Sequence, residues 1–264
     1  MLIDSHCHLM KFHQRGDLPE ILREAEDMGV GHMIAIGTDK DDWAINLELA
    51  QLYPKQISYT VGLHPTSVED DWEQQLRGLQ KYLTGNQLPQ AIGEIGLDHF
   101  HLPKKNPDKA KFLKERQVLA FERQLQIAKE IELPVVIHSR NAFEESVDCI
   151  DQSGLSWEKV IFHCFAEGKE EINILNERGG MASFTGIVTY KNGENVRNAM
   201  LAQGLERLIL ETDSPYLTPE PHRGKENHPG YTHHIAEVCA KLFNVSGSII
   251  STISTRNTKS FFGL

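Results

Sequence analysis

The sequence predicts a single-domain α/β fold, a somewhat distorted (β/α)8 TIM barrel, and three observations support this. Eight short apolar segments that read as strands alternate with helical segments at intervals of about 20 to 45 residues. The 264 residues match the roughly 250 that eight such units need. No linker rich in Pro, Gly or Ser divides residues 1–264, so one domain is expected. An open doubly wound sheet is the alternative, but no Gly-x-Gly-x-x-Gly motif follows an early strand.

The first half of the chain is predicted to contain four strands, each within a short apolar run. These runs are residues 1–3, 32–38, 57–63 and 90–98. Helices are expected where apolar residues recur at helical spacing, as Trp72, Leu76 and Leu79 do. Gly29 and Pro54 are expected to end the first two helices. The predicted helices span residues 18–28, 41–53, 68–83 and 111–131, and residues 99–108 are expected to form an exposed polar loop.

The second half of the chain continues the alternation. Apolar runs predict strands at residues 134–138, 160–163, 181–184 and 208–213. Helices are expected at residues 142–152 and near 169–178, and two more follow the eighth strand. In a parallel barrel of this kind the active site lies at the carboxyl ends of the strands, so residues at those ends are the functional candidates.

The composition is ordinary for a globular protein and argues against several classes. No apolar run reaches the roughly 20 residues that a bilayer span requires, and no signal peptide is apparent. The four cysteines form no Cys-x-x-Cys pair, so reduced thiols and a cytoplasmic location are expected. The net charge of −10 argues against broad electrostatic binding to nucleic acid, but it is compatible with a local cationic site. The sequence leaves the oligomeric state open and is compatible with a monomer.

A pair of histidines follows the first strand, in the stretch Asp4-Ser5-His6-Cys7-His8-Leu9. Because side chains alternate between the two faces of a strand, His6 and His8 are expected on one face and Cys7 on the other. Two neutral imidazoles on one face can bind a single metal ion. The alternative is two unrelated histidines near a flexible terminus, and only further ligands at other strand ends would decide against it.

Five more strand ends carry a histidine or a carboxylate. A buried carboxylate is costly without partners, so Glu94 and Asp213 are difficult to explain as packing residues. Four histidines and two carboxylates suit two divalent ions that share a bridging carboxylate, and such a pair can activate a water and stabilise an oxyanion. A structural metal site would more often be a closed shell of cysteine and histidine. The candidate residues at the strand ends are His6, His8, His64, Glu94, His138, His163 and Asp213.

Seven sequence motifs carry a resemblance to a known family. They are residues 4–9, 62–65, 93–98, 138–140, 163–165, 211–216 and 221–227. These motifs resemble those of the TatD family of metal-dependent deoxyribonucleases, within the amidohydrolase superfamily, whose fold is a distorted TIM barrel. The resemblance covers almost the whole chain. One departure is that Ala166-Glu167-Gly168 follow the fifth motif, where many members have Thr or Ser and then Gly.

The resemblance implies an activity and a role for each ligand. Members are described as acting on DNA, often as 3′→5′ exonucleases, and some on RNA. Two divalent ions per chain are therefore expected, and mixed imidazole and carboxylate ligation suits Zn²⁺ or Mn²⁺, with weaker binding of Mg²⁺. Asp213 is also expected to accept the proton of the attacking water. The implied ligands are His6, His8 and Asp213 for one ion, His138 and His163 for the second, and Glu94 as the bridge.

Three further residues near the ligands could bind substrate or support the metals. For two of them, His64 and Arg140, a purely structural role is the alternative. His64 could bind a phosphate or an extra ion, or it could form a loop hydrogen bond. Arg140 could make a forked contact to a phosphate, or it could form a salt bridge with Glu94 or Asp98. Glu211 is expected on the same strand face as Asp213, where it could orient a metal ligand.

The segment after the eighth strand, residues 216–227, is predicted to be a stiff cationic loop because it contains prolines and basic residues. Arg223 could grip a phosphate by two hydrogen bonds, and Lys225 offers a point charge. The alternative is that these two cations pair with Glu220 and Glu226 as a solvated ion network. The aromatic residues that could stack on bases or simply pack are Phe100, Phe165 and Tyr216. The cysteines expected in the core are Cys7 and Cys164.

Three functions are compatible with the sequence. The leading hypothesis is a metal-dependent deoxyribonuclease that hydrolyses the phosphodiester bonds of DNA as a 3′→5′ exonuclease. The second is an amidohydrolase-type hydrolase of a small amide, lactone or phosphoester, and the third is a metal-binding or partner-binding protein with incidental catalysis. A metal pair cannot separate the first two, because an activated hydroxide attacks carbon and phosphorus alike. Cationic and aromatic loops favour the first, and the third predicts that loss of a ligand leaves the cellular role intact.

Overall fold

The computed structural model describes all residues from 1 to 264, and eight strands alternate with helices along them. The strands are β1 Leu2–Cys7, β2 Val30–Ala35, β3 Ile57–Tyr59, β4 Ile92–Asp98, β5 Val135–Arg140, β6 Val160–Phe162, β7 Met181–Phe184 and β8 Ile209–Leu210. The helices are α1 Met10–Arg15, α2 Leu18–Asp27, α3 Lys40–Leu52, α4 Trp72–Gly78, α5 Gln80–Leu83, α6 Pro107–Glu130, α7 Phe143–Ser153, α8 Lys169–Arg178, α9 Glu194–Gln203, α10 Thr232–Phe243 and α11 Gly247–Phe262. None of these helices has the length and apolar character needed to cross a bilayer.

All neighbouring strands are parallel, and they form two sheets with the orders β1-β2-β3 and β4-β5-β6-β7-β8. Isolated bridges join the sheets at both seams, between Val61 and Ile92 and between Cys7 and Ser214. The eight strands therefore form the predicted (β/α)8 barrel, and its pairing is weakest at these two seams. The distortion predicted for the barrel agrees with this arrangement.

Apolar side chains fill two layers because successive residues of a buried parallel strand point to opposite faces. A cluster of eight buried residues comes mainly from the strands and their ends, and Phe262 of α11 joins it. A second cluster of 53 buried residues lies between the strands and the surrounding helices. The strands are thus packed on both sides, and polar side chains are confined largely to their ends. The strand-derived members of the smaller cluster are Ile3, Ile34, Ile36, Ala91, Val136, Ile161 and Ile209.

Some elements differ from the sequence prediction. Helices α1 and α9 were not predicted, because α1 has only six residues and α9 buries only a few apolar side chains. The helix predicted at 68–83 is divided into α4 and α5 at Leu79, after a helix-weakening glycine, Gly78. The helix predicted at 111–131 begins earlier, at Pro107, within the segment predicted to be a loop.

Strands β3 and β8 are shorter than predicted because their ends change hydrogen-bonding partners. After β3, the hydroxyl of Thr60 donates to the carbonyl of Gly93, and the N–H of Leu63 donates to the side chain of Gln124. After β8, the N–H of Asp213 donates to the carbonyl of His6 on β1 at 2.9 Å. These irregular ends lie where the barrel presents its polar side chains.

Candidate metal centre

A buried carboxylate lies at the centre of the predicted ligands. Glu94 on β4 is 3% exposed. Its Oε1 atom lies 2.7 Å from Nε2 of His163, 2.8 Å from Nδ1 of His138 and 3.3 Å from Nε2 of His64. Its Oε2 atom lies 3.4 Å from Nε2 of His6. One carboxylate therefore contacts imidazoles from four different strand ends.

Asp213 extends the cluster on the β1 side. Its Oδ1 atom lies 3.3 Å from Nε2 of His8 and 3.7 Å from Nε2 of His6. The potential ligand atoms form three overlapping groups, and within each group they lie within 4.8 Å of one another. Ions held in neighbouring groups would therefore share ligands. The groups are His6, His8 and Asp213; His6, Glu94 and His163; and His64, Glu94 and His138.

Backbone contacts between β1 and the end of β8 fix the first group. The N–H of Asp213 donates to the carbonyl of His6, and the N–H of His8 donates to the carbonyl of Ser214 at 2.8 Å. Asp213 has a φ of 55°, in the left-handed region that a non-glycine residue seldom adopts. This turn, together with the two hydrogen bonds, brings the Asp213 carboxylate to both histidines.

Unsatisfied nitrogen atoms show that the cluster fits a metal. Both ring nitrogens of His6 and the Nδ1 atom of His163 are buried and have no hydrogen-bond partner. Burial and the neighbouring His163 lower the pKa of His6, so its imidazole is neutral, the form that binds metals. Buried polar atoms without partners are rare in folded proteins. A divalent ion would provide the partner that the His6 ring lacks.

The two carboxylates are held in their ionised form. Burial alone would raise the pKa of Glu94, but the imidazoles of His163 and His64 hold it well below its usual range. Burial would also raise the pKa of Asp213, but the hydrogen bond from His8 and the charges of nearby histidines lower it. Anionic carboxylates next to imidazoles, which bind a metal in their neutral form, form a donor set that suits zinc or manganese.

Asp98 supports the cluster from behind His138, a role that was not predicted, since Asp98 was expected only as a possible partner for Arg140. The Nε2 atom of His138 lies 3.1 Å from Oδ2 of Asp98, which leaves its Nδ1 atom facing Glu94. The Asp98 carboxylate also accepts the N–H of His101 at 2.9 Å. A signal was present in the sequence, because Asp98 lies four residues after Glu94 on the same strand, and side-chain alternation places both on one face.

We expect Asp98→Asn to weaken metal binding by about 10–100-fold, the usual effect of removing a carboxylate that orients a metal-bound histidine. The amide is a poorer acceptor for the His138 ring and no longer fixes its tautomer. The affinity is measured by competition with a chelator. Asp151→Asn, at a surface carboxylate that pairs with Arg178, is the control. Unchanged affinity in Asp98→Asn would contradict this role.

Glu211 lies beside His163, a position from which a carboxylate could orient this ligand. Its carboxylate accepts hydrogen bonds from the N–H of Cys164 and the hydroxyl of Ser183, both at 2.6 Å. Its Oε1 atom lies 3.5 Å from Nδ1 of His163. Asp4 on β1 holds the chain just after Glu211, since its carboxylate accepts a hydrogen bond from the N–H of Thr212 at 2.9 Å.

His64 and Arg140 are placed differently from one another. Nδ1 of His64 lies 2.7 Å from the hydroxyl of Thr66, so this ring makes the loop hydrogen bond while its Nε2 atom faces Glu94. The guanidinium of Arg140 lies 4.2 Å from the ring centre of Phe100, and it forms no ion pair. The alternative prediction of a salt bridge for Arg140 is therefore wrong. The Arg140 side chain turns outward at the end of β5 and lies over the Phe100 ring.

The cationic loop at residues 216–227 does not form the ion network considered as its alternative. Glu226 accepts two hydrogen bonds from the guanidinium of Arg15 on α1, at 2.9 and 2.8 Å. Arg223 lies over the ring of Tyr190 at 3.8 Å instead. Lys225 is exposed and forms no ion pair. The pairing of Glu226 with α1 leaves both loop cations without a carboxylate partner.

The remaining predicted residues divide between rim and core. Phe100 and Tyr216 are exposed, and the Tyr216 ring lies 6.1 Å from the ring of His8. Phe165 is buried, so packing explains it. Cys7 is buried as expected, whereas Cys164 is partly exposed and adopts a φ of 45° beside its neighbouring ligand.

A parallel (β/α)8 barrel with clustered histidines and carboxylates at its strand ends defines a metal-dependent hydrolase. The family assignment is more specific. A family model described as TatD related DNase matches residues 3–263, and the chain belongs to this family.

Relatives and solved structures agree with the assignment. The chain is 33% identical over 262 residues to the uncharacterized metal-dependent hydrolase YabD of Bacillus subtilis, covering 99% of each chain. It is 32% identical over 266 residues to YcfH of Escherichia coli K12, covering 99% of this chain and 95% of the relative. The crystal structure of YJJV, a TatD homolog from Escherichia coli K12, superposes with a TM-score of 0.90 at 28% identity, covering 100% of this chain and 98% of that one.

Proposed function

We propose that the protein hydrolyses phosphodiester bonds of DNA, acting from the 3′ end as an exonuclease, with two divalent ions per chain. The observation that carries the proposal is a metal-ligand cluster accompanied by cations that lack carboxylate partners. Arg140 is the last residue of the ligand strand β5, and Arg223 lies in the loop that follows β8. Guanidinium groups free of carboxylates are available for phosphates, which they bind through paired hydrogen bonds. The family's description as DNases supports the same substrate.

The donor atoms suggest how the ions would be held. One would be bound by His6, His8 and Asp213, and a second by His138 and His163, with Glu94 between them. When bound, such ions lower the pKa of water and neutralise charge on a phosphoryl oxygen. Mg²⁺, Mn²⁺ and Zn²⁺ are all compatible, with tighter binding of Zn²⁺ expected from its preference for imidazole.

The side chains of the chain itself provide positioning and proton transfer. Asp213 has a lowered pKa and is ionised at neutral pH, so it can accept the proton of an attacking water. The exposed rings of Phe100 and Tyr216 offer faces on which bases could stack. Arg223 and Lys225 would hold phosphates on the substrate strand, while His64 would face the scissile phosphate beside Glu94. RNA would fit the same contacts, so the assay includes both nucleic acids.

The central test separates a nuclease from a hydrolase of small amides, lactones or phosphoesters. End-labelled single-stranded DNA and RNA are incubated with the pure protein and each of the three metals in turn. We expect shortening of DNA from its 3′ end that a chelator abolishes. Hydrolysis of small amides or lactones with no shortening of either nucleic acid would overturn the proposal.

We expect Arg223→Ala to raise the KM for DNA by about tenfold, the effect of losing one hydrogen-bonded charge contact. Lys225→Ala should give a smaller increase, because an exposed ammonium is strongly hydrated. In each variant the dependence of log(kcat/KM) on log[salt] should become flatter by about 0.7, the slope lost per phosphate contact on a single strand.

Two controls separate strand binding from support of the metals. Hydrolysis of bis-p-nitrophenyl phosphate, which has no flanking phosphates, should change little in either variant. Arg23→Ala on α2, an exposed arginine of the outer helical layer, should leave both substrates unaffected. Equal losses on DNA and on the small diester would mean that the loop supports the metal centre instead.

A further inference from the structure

A second group of imidazoles lies outside the metal centre, where residues 216–227 meet α10. The Nε2 atom of His222 in the loop lies 3.2 Å from the Nε2 atom of His234 on α10. Neither residue is a candidate ligand of the metal centre, and neither contacts one of those ligands. The other titratable or aromatic members of the group are His228, Tyr231, His233 and Glu237.

The separation of the two Nε2 atoms fits a shared metal ion. Zinc–imidazole bonds of about 2.0–2.1 Å in a tetrahedral site place two ligand nitrogens about 3.3 Å apart. The distance between His222 and His234 is close to that value. It also fits a direct hydrogen bond between neutral rings, so the surroundings of the two rings decide between the alternatives.

The surroundings of His234 match those of a metal-bound histidine. Its Nδ1 atom lies 3.2 Å from a carboxylate oxygen of Glu237, one turn further along α10. A carboxylate there accepts a hydrogen bond from the Nδ1–H group, which leaves the lone pair on Nε2 and makes that atom a better donor to a metal. His234 is only partly exposed, so its ring is held in this orientation by packing as well as by Glu237.

The ring of His222 is also fixed and is available as a ligand. It stacks on Tyr231 with 4.4 Å between ring centres and 7° between planes, which directs its Nε2 atom at α10. An imidazole binds a metal through such a nitrogen in its neutral form. Both histidines are partly exposed, so water could complete the coordination shell.

The other two histidines are occupied elsewhere. Nδ1 of His228 accepts the N–H of Gly230, and its ring packs against Tyr231 at 4.0 Å. Nε2 of His233 lies 3.8 Å from the second carboxylate oxygen of Glu237. The group thus offers two nitrogen ligands that face one another, the Nε2 atoms of His222 and His234. His233, on the same helix as His234, serves as a matched control.

We propose that His222 and His234 form a separate site for a zinc-class divalent ion that pins the loop at residues 216–227 to α10. Such ions prefer imidazole ligands, whereas Mg²⁺ and Ca²⁺ prefer oxygen and would not bind here. With two protein ligands, the site is weaker than the metal centre and fills only after it. The ion would fix the backbone on which Arg223 is carried, and the site does not depend on what the metal centre hydrolyses.

The test counts bound zinc in the full-length protein. Metal-free wild type and the variants His222→Ala, His234→Ala and His233→Ala are dialysed to equilibrium against rising free Zn²⁺, and zinc per chain is measured by elemental analysis. We expect wild type and His233→Ala to bind one more equivalent than His222→Ala and His234→Ala. In wild type, that last equivalent should also slow hydrogen exchange of the amides at 216–227, and Mg²⁺ should not.

Two outcomes of the zinc count would overturn the proposal. One is equal zinc in wild type and in both His222→Ala and His234→Ala, which would leave the pair as a hydrogen bond. The other is loss of the additional zinc equivalent in His233→Ala as well. That result would place the ion on the surface of α10 and not between His222 and His234. Imidazole NMR signals of wild type give a readout that needs no substitution: if zinc leaves the His222 and His234 signals unchanged, the site does not exist.

Discussion

Asp213→Asn is expected to lower the turnover of DNA by about 10²-fold or more, the usual contribution of a general base. Asparagine keeps the shape and one ligand oxygen of the side chain, but it cannot accept the proton of the attacking water. The backbone hydrogen bonds that join Asp213 to His6 remain, so the fold should be unaffected. Single-turnover kinetics at saturating metal measure the effect on chemistry alone.

The control for this variant is Glu220→Gln, an exposed carboxylate that forms no ion pair. It removes the same charge without touching the cluster, and its turnover should match wild type. Elemental analysis verifies that Asp213→Asn retains its ions. Near-normal turnover with the ions bound would show that another group accepts the proton.

Glu94→Gln is expected to have the largest effect on metal content. The carboxylate of Glu94 lies within 3.4 Å of four imidazoles, from Nε2 of His163 at 2.7 Å to Nε2 of His6 at 3.4 Å. An amide provides no negative charge to share between two ions, so the content should fall from two ions per chain to at most one. The loss in affinity should exceed the roughly 10–100-fold expected for Asp98→Asn.

Elemental analysis after reconstitution, and turnover at rising metal concentration, measure the two effects of Glu94→Gln. Turnover should fall below that of Asp98→Asn at every metal concentration, since one variant removes a shared ligand and the other only its support. Wild-type protein that holds a maximum of one ion at saturation would contradict the two-ion proposal. Two ions retained in Glu94→Gln would show that the bridge lies elsewhere.

Several contacts of the site follow from the position of a residue along its strand. His6 and His8 meet Asp213 because the first and last strands of a closed parallel barrel are neighbours and their carboxyl ends share one rim. The alternation of side chains sends Cys7 into the outer core, as predicted. Such placements depend on periodicity and fold class, both of which can be read from the chain.

The prediction failed for elements with weak local signals. The six residues of α1 are too few to show a periodic pattern, and α9 buries mainly Val196, Ala199 and Met200, a modest apolar face. Strands β3 and β8 were predicted to extend too far along the chain. At its end, each segment leaves the strand pairing and forms hydrogen bonds with other partners. Hydrogen-bonding partners of that kind depend on the assembled barrel.

By itself the sequence determined the barrel and which strand ends carry histidine or carboxylate, because both follow from local spacing. Only the tertiary structure decided the partners of the long and mobile side chains. Arg15 reaches Glu226 across 211 residues of sequence, which leaves Arg223 free to lie on Tyr190. The contact of Asp98 on β4 with His138 on β5 was likewise decided by the assembled sheet. The physical reason is that long side chains have many rotamers of similar energy, and contacts made by the folded chain select among them.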